Sequence, residues 1–538
     1  MDLLSQAFLT SPDGGGRAVA ACFVGTILVH TSVDVARGRV NLLHLHDQVH
    51  RTHQVSTVSA VLRVIFSCVA GTFQVALLQE CHRWRVWSVW PKLFPAIPSA
   101  FPFWDIVLLH VTAILFAHVV AYTYKICVLL FKVWRYRALT QKALTGDKRE
   151  DGQPPRRILI VHASVGSGHK RAAQAIREAL EAQYAAASTS VVIKTLDVVD
   201  SMEWFMKAVY KNGFMTLVTH DWGSAFVGLM FDKSNKVAPG ISLGAPGFLQ
   251  TVLEESFMLS FVETIFNFRP DVIINTHFLS LKVLAHMRNT LKSFDVPQVC
   301  VVTDYDVHAY WAVAPCERFF VARDECRHAL TTFGIPNNTI SVTGMPVVRD
   351  FSHDLPSRDE CLEILGLDGS RPVVLMMAGG ENIFETYDAL LSLEVPLQIA
   401  LVCGRYADKK AKLEAVPVPA RHKCKLEGFT RKMHYYLQSA DVIITKPGGL
   451  TTAESLATGT AMAIYHSLPG QEARNADMIL EGGAGFKISD ARMLAYKLEK
   501  VLHDAPLLER MKRNAKRLGS VSAAGVVAKF VFEGSFQV

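Results

Sequence analysis

The stretch TKPGGLTTAE, residues 445–454, joins two segments that have different apolar patterns. The run DVII at residues 441–444 predicts a buried parallel strand, and residues 455–457 predict a helix. The glycines between them let the backbone approach a phosphate closely, and the first helical turn would point its N–H groups at that phosphate. Glu454 follows in the helix, where its carboxylate can accept hydrogen bonds from vicinal hydroxyls such as those of a ribose. The stretch therefore predicts a nucleotide-diphosphate site. It lacks the Walker lysine and the GxGxxG pattern, which disfavours an ATPase or a dehydrogenase.

The basic excess of the chain is confined to its N-terminal part. Residues 1–150 contain 15 Lys and Arg against 8 Asp and Glu, whereas the other residues contain 41 of each sign. Half of the 538 residues are hydrophobic and the mean hydropathy is +0.22, which is high for a purely soluble enzyme. The length allows about three domains. We therefore expect a membrane-facing or targeting region followed by catalytic domains without a net charge. We expect no nucleic-acid partner, because no basic patch lies on a recognisable nucleic-acid-binding fold.

The cysteines and histidines predict no metal site. The ten cysteines form no CxxC pair and several lie in apolar runs, which favours buried, reduced thiols. Residues 44–53 contain four closely spaced histidines, but their spacing matches no zinc pattern; they are His44, His46, His50 and His53. A DxD-type chelate of a divalent ion at Asp304 and Asp306 stays open as an alternative.

The N-terminal 150 residues have the pattern of a membrane-associated region. Residues 18–33, 64–79 and 106–124 are free of charged residues, and the third stretch approaches the roughly 20 residues that a spanning helix needs. Basic residues follow it, so the domains after it are expected on the cytoplasmic side, with organelle targeting undecided. An amphipathic helical cap without a span is the alternative. Residues 237–248, apolar and interrupted by Pro and Gly, are interpreted as a membrane-dipping loop, with a plain surface loop equally open.

From residue 156 onward, short apolar runs alternate with helical patterns. One series of strands precedes residue 350 and a second series begins at residue 373. Strands that alternate with helices predict parallel sheets covered on both faces. We therefore expect an α/β chain with two Rossmann-like domains facing a cleft, at residues 155–350 and 371–515, and a C-terminal helix within residues 516–538.

The first series places polar side chains where its strands end. The run HASVGSGHK at residues 162–170 puts Gly166 and Gly168 at a helix N-terminus, directly before His169. A helix N-terminus disfavours imidazolium, so His169 is expected to be neutral near pH 7 and able to take a proton. A capping or packing histidine is the alternative. Other strands of the same sheet end in His277, Asp304 and His308.

The second series offers contacts for a donor. Gly379 and Gly380 end its first strand and could lie against a diphosphate, and the backbone at Phe429 could contact a base edge. A later turn offers an amide and a carboxylate for sugar hydroxyls, with ordinary turns as the alternative; its residues are Gln471, Glu472 and Asn475.

Together these motifs resemble the monogalactosyldiacylglycerol synthase and processive diacylglycerol glucosyltransferase family. Its acceptor domain is matched by residues 161–173, Thr276-His277, Thr303-Asp304, His308 with Trp311, and residues 344–347. Its donor half is matched by KPGGLT at residues 446–451 with Glu454, and by PGQE at residues 469–472 with Asn475. The resemblance covers about residues 155–515. It implies the two-Rossmann GT-B glycosyltransferase fold and inverting transfer from UDP-galactose or UDP-glucose to diacylglycerol at a membrane surface. No cofactor and no catalytic metal are expected.

The resemblance also implies roles for single residues. His169 would stand at the reacting centre with Asp304 near it, Glu454 would hold the ribose, and Trp311 would lie near the lipid. The phosphates would be held by Gly449, Leu450 and Thr451, and the hexose by Gln471 and Glu472. Glu381 departs from the family pattern beside the expected diphosphate. Two other functions stay open: transfer to another lipid-linked acceptor, and a membrane-anchored UDP-sugar-binding subunit without turnover.

Overall fold

A computed structural model gives the structure of the chain. It describes residues 155–164, 168–202, 258–291, 294–351, 355–377, 383–465 and 470–534, with single residues 207, 467 and 536 and parts of 120–145. The predictions for residues 1–119 and for the loop at 237–248 therefore lie outside the described residues. Among the helices that are described, none combines the length and the apolar character needed to cross a bilayer.

Two series of strands alternate with helices, as the sequence pattern predicts. The strands are β1 (Leu144–Thr145), β2 (Arg156–His162), β3 (Val191–Asp197), β4 (Val272–Asn275), β5 (Phe294–Asp295), β6 (Gln298–Val301), β7 (Arg318–Val321), β8 (Ile340–Val342), β9 (Val373–Met377), β10 (Gln398–Val402), β11 (Lys423–Glu427), β12 (Val442–Thr445), β13 (Ala461–Tyr465) and β14 (Gly485–Ile488). The helices are α1 (Gly168–Ala186), α2 (Leu259–Phe268), α3 (Phe278–Thr290), α4 (Asp324–Thr332), α5 (Arg358–Leu365), α6 (Ile383–Leu391), α7 (Ala407–Glu414), α8 (Met433–Ser439), α9 (Gly449–Thr458), α10 (Gln471–Glu481), α11 (Ala491–His503), α12 (Ala505–Leu518) and α13 (Ala523–Glu533).

The first domain is built on a parallel sheet with the strand order β3-β2-β4-β6-β7-β8. Its central strands carry apolar side chains on both faces; the four residues of β4, for example, are all buried. Such continuous apolar strands are stable only where helices cover both faces of the sheet. The order reverses between β2 and β4, and an open α/β sheet binds its ligands at that reversal, beyond the carboxyl ends of the strands.

The second domain has a parallel sheet with the order β11-β10-β9-β12-β13-β14, the arrangement of a nucleotide-binding Rossmann domain. Its reversal lies between β9 and β12, where Val442 pairs with Val374. Helix α5 starts with a capping box formed by Ser357 and Glu360 and packs Leu362 and Leu365 into the core of this domain. The two expected Rossmann-like domains are thus confirmed, and the second one includes a helix that precedes the predicted start at residue 371.

The C-terminal helix returns to the first domain. Helix α13 buries Val527 and Val531 in the same apolar cluster as Ile158 and Ile176. Arg156 of β2 donates a hydrogen bond to the Phe532 carbonyl at 3.2 Å. Helix α12 continues to residue 518 before the chain crosses over to form α13, so the expected boundary at residue 515 falls inside α12.

Candidate active site

His169 lies in the first turn of α1, at the reversal of the first sheet. Its Nδ1 is 2.9 Å from the carbonyl oxygen of Thr276, which directly follows β4. A carbonyl oxygen only accepts hydrogen bonds, so Nδ1 carries the proton and Nε2 is left as the basic nitrogen. The Thr303 hydroxyl lies 2.7 Å from the same Nδ1, and its own O–H reaches the Thr276 carbonyl at 3.4 Å. Two threonines that sequence reasoning left without a role therefore fix the tautomer and the direction of the imidazole.

The imidazole of His169 is neutral at physiological pH. Burial lowers its pKa to about 4, the Thr276 carbonyl opposes that shift, and the nearby His162 adds to it. The neutral state matches the sequence-based prediction, although burial rather than the helix terminus is the main cause. The ring of His277 stands nearly perpendicular to it, with centroids 4.6 Å apart.

Asp304, which is expected near His169, makes a hydrogen bond to Trp311. Asp304 Oδ2 accepts a hydrogen bond from Trp311 Nε1 at 3.0 Å, because a buried indole N–H needs an acceptor. Burial raises the pKa of this carboxyl to about 7. Trp311 is only 1% exposed, and its expected position near the lipid stays a prediction. The other carboxylate of the DxD pair, Asp306, is paired with Arg474 of the second domain.

Two predicted acceptor residues are helix caps. His277 accepts a hydrogen bond from the Leu279 N–H at 3.2 Å and caps α3. His308 accepts one from the Tyr310 N–H at 3.1 Å and caps the short 3₁₀ turn Ala309–Trp311. His277 also contacts the ring of His169, edge to face. Gly166, the other residue expected here, lies outside the described residues.

A cavity of about 410 Å³ opens at the reversal of the second sheet. It contains three of the predicted donor residues, Phe429, Thr451 and Glu472, together with Lys446, whose charge the sequence analysis did not use. Gly379 and Gly380 lie outside the described residues. Phe429 is 66% exposed, and the Arg405 guanidinium lies 5.8 Å from its ring centroid. The cavity thus offers an aromatic platform at its mouth and a cation beside the glycine turn.

The glycine turn meets the first domain directly. Helix α9 is capped by Gly448, and no side chain caps its first N–H groups. A Cβ at Gly449 would lie 2.9 Å from the Thr303 carbonyl oxygen, and one at Gly168 would lie 3.9 Å from the Leu450 Cβ. The N-termini of α1 and α9 therefore face each other across the cleft, as predicted. This contact brings the His169 turn against the predicted phosphate turn.

The remaining donor candidates are less accessible than expected. Asn475 donates to the Pro447 carbonyl at 3.0 Å and accepts from the Tyr305 N–H at 3.4 Å, so its amide joins the two domains instead of lining the cavity. Gln471 begins α10 and does not line the cavity either. Glu454 is buried, and its carboxylate pairs with Arg171 of α1 at 3.0 Å. Burial raises the pKa of this carboxyl to about 7, and Arg171 opposes the shift.

Comparisons with known proteins agree with this architecture. The monogalactosyldiacylglycerol (MGDG) synthase family model matches residues 169–347, and the glycosyltransferase family 28 C-terminal domain matches residues 381–526. The processive diacylglycerol beta-glucosyltransferase of Bacillus pumilus is 30% identical over 270 residues, which cover 49% of this chain and 69% of that protein. The chain belongs to this family of diacylglycerol glycosyltransferases.

Other members of the diacylglycerol glycosyltransferase family match over longer stretches. The processive diacylglycerol beta-glucosyltransferase of Staphylococcus aureus strain Newman is 26% identical over 349 residues, or 64% of this chain and 83% of that protein.

The crystal structure of MurG from Acinetobacter baumannii is similar over 71% of this chain and all of that chain, with 16% identity and a TM-score of 0.47. The first family model covers α1 from its second residue, His169, and extends past β8, and the second family model covers α9.

Proposed function

We propose that this protein transfers galactose or glucose from the corresponding UDP-sugar to diacylglycerol, with inversion at the anomeric carbon. The observation that carries the proposal is the approach of α1 and α9, which brings the neutral imidazole of His169 next to the glycine turn. Membership of a family whose relatives are named for transfer to diacylglycerol supports the lipid acceptor.

In this mechanism His169 is the general base. Its Nε2 takes the proton of the diacylglycerol hydroxyl while that oxygen attacks the anomeric carbon from the face opposite UDP. The bond from the anomeric carbon to the diphosphate oxygen breaks at the same time. An α-linked donor therefore gives a β-glycoside. The Thr276 carbonyl and the Thr303 hydroxyl hold Nδ1, and so aim Nε2 throughout the step.

The leaving diphosphate is stabilised by the protein itself. The N–H groups at the start of α9 and the ammonium of Lys446 face the cavity where the diphosphate would lie. Phe429 offers its exposed ring to the uracil, and Glu472 lies in the same cavity for the hexose hydroxyls. We propose that no catalytic metal is required, so turnover should persist in excess EDTA.

A lipid acceptor requires the protein to reach a bilayer. We propose that the protein is membrane-associated with its catalytic domains on the cytoplasmic side. We further propose that anionic lipids favour its binding, because residues 1–150 carry the whole basic excess of the chain.

The test is incubation of the protein with UDP-glucose or UDP-galactose and diacylglycerol vesicles, with mass analysis of the lipid product and measurement of UDP release. We expect a monohexosyl lipid and UDP release that depends on diacylglycerol. His169→Ala should lose roughly 10²–10⁴-fold in turnover while it still binds UDP. UDP binding without any release would favour a binding subunit. A product formed only on another lipid-linked acceptor would reject diacylglycerol, and near-normal rates in His169→Ala would reject the base.

A further inference from the structure

One ion pair crosses the cleft at the residue expected to hold the ribose. Arg171 Nη2 of α1 lies 3.0 Å from Glu454 Oε1 of α9. The Glu454 side chain is 7% exposed, whereas that of Arg171 is 36% exposed. A cation supplied by the acceptor domain thus holds a buried carboxylate of the donor domain, next to the contact between Gly168 and Leu450.

This cation favours the charged form of the buried carboxylate. Burial raises the pKa of Glu454 to about 7, and the charge and hydrogen bond of Arg171 act in the opposite direction. An ionised carboxylate has about four acceptor positions, whereas a protonated one loses an acceptor and becomes a donor. The hydrogen bond from Arg171 occupies one position on Oε1, which leaves positions on both oxygens for the two hydroxyls of a ribose.

We propose that Arg171 is a positioning residue for the donor nucleotide: it holds Glu454 charged and correctly oriented to accept the ribose hydroxyls. The proposal rests on the proposed function. Because Arg171 belongs to the first domain and Glu454 to the second, the nucleotide site is complete only when the two domains are together. Arg171 itself touches no part of the donor. The approach of α1 and α9 places His169 next to the glycine turn. Through the ion pair, the same approach also completes the site that recognises the donor.

The test is calorimetric binding of UDP and of 2′-deoxy-UDP to the full chain and to Arg171→Gln. The hydrogen bonds from the ribose hydroxyls are strong because Glu454 is charged. Arg171→Gln should therefore weaken UDP binding by roughly tenfold to hundredfold. 2′-Deoxy-UDP lacks one of the two hydroxyls that would donate a hydrogen bond to the carboxylate. Its binding should therefore change by much less in Arg171→Gln. In steady-state assays the variant should raise KM for the UDP-sugar more than it lowers kcat.

Three further variants separate this role from a general structural one. Arg171→Lys keeps the charge and should retain part of the preference for UDP. Glu454→Gln should lose the preference even with Arg171 present, and the double variant should lose little more, because the two residues act as one unit. The control is Arg177→Gln, which removes an exposed ion pair with Glu181 on the same helix and should leave both affinities unchanged.

Several outcomes would overturn the proposal. Tighter UDP binding by Arg171→Gln would mean that Arg171 competes with the donor for Glu454. Equal losses for UDP and 2′-deoxy-UDP would mean that it acts on the phosphates or on the fold. If the unmodified protein binds UDP and discriminates against 2′-deoxy-UDP, and Arg171→Gln does the same, only this inference fails. If the unmodified protein does not bind UDP at all, the proposed function fails with it.

Discussion

Replacement of Gly449 by alanine tests how closely the two domains must approach for turnover. The new Cβ would lie 2.9 Å from the Thr303 carbonyl oxygen and 3.6 Å from Met345 Cε. The methionine end can move aside, but the carbonyl belongs to the backbone. It also belongs to the residue whose hydroxyl contacts His169. Ordinary contacts begin at 3.4 Å, so the carbonyl and the turn must separate by about half an ångström.

That displacement predicts the size of the effect. A misplacement of about 1 Å between reacting groups can cost about 100-fold in rate, so half of it should cost about tenfold. Gly449 begins a helix, and its backbone conformation is one that alanine also adopts, so the second domain should stay folded. We therefore expect kcat on diacylglycerol vesicles to fall by about tenfold, while UDP affinity measured by calorimetry changes by less than about threefold.

The matched control is Gly525→Ala. Its Cβ would meet no atom within 4 Å, and it lies in α13, away from the cleft. A Gly449→Ala protein with the same kcat as this control would show that the close approach does not matter for the chemistry. Parallel losses of UDP binding and kcat would instead place the damage in the phosphate turn alone.

Three further predictions follow from single features of the structure. Phe429→Ser should weaken UDP binding by about tenfold, since stacking of a base on an aromatic ring is worth about 1–3 kcal/mol; unchanged binding in calorimetry would reject the platform. At saturating donor, kcat should not fall through protonation of His169 until the pH approaches about 4, because the neutral imidazole persists above its lowered pKa; a break near pH 6.5 that persists in both Asp304→Asn and Glu454→Gln, whose carboxyls have raised pKa values, would contradict this. Val527→Ala should lower the free energy of unfolding by about 2 kcal/mol, because Val527 is fully buried in the first domain; urea denaturation with unchanged stability would argue against the docking of α13.

The sheets were predictable because strand patterns are local. Strand β9 begins at Val373, where the second series is expected, and β12 (Val442–Thr445) lies one residue after the predicted run at residues 441–444. Strands β10, β12 and β13 are buried throughout, and β9 is buried except at Met377. Within the second sheet, the exception is β14 (Gly485–Ile488), which is short, half-buried and carries a glycine and a lysine. Such an edge strand has too little apolar pattern to be recognised without its neighbour β13.

Contacts between the domains were not predictable, because they depend on how two distant parts of the chain pack. Arg171 and Glu454 are 283 residues apart, and Tyr305 and Asn475 are 170 residues apart. Motif order indicates which strand ends carry polar residues, but it does not say which carboxylate finds which cation. Even the pairing of Asp304 with Trp311, seven residues along the chain, depends on the course of an irregular turn.

The docking of α13 on α1 and β2 has a consequence for biosynthesis. Ribosomes make β2 and α1 before α13, yet Val527, Ala528 and Val531 of α13 complete one face of the interior of the first domain. Until they emerge from the ribosome, Ile158 and Ile176 lack part of their apolar covering. The first domain should then be prone to aggregation and be a substrate for chaperones. Full maturation of the first domain therefore waits until α13 has been translated.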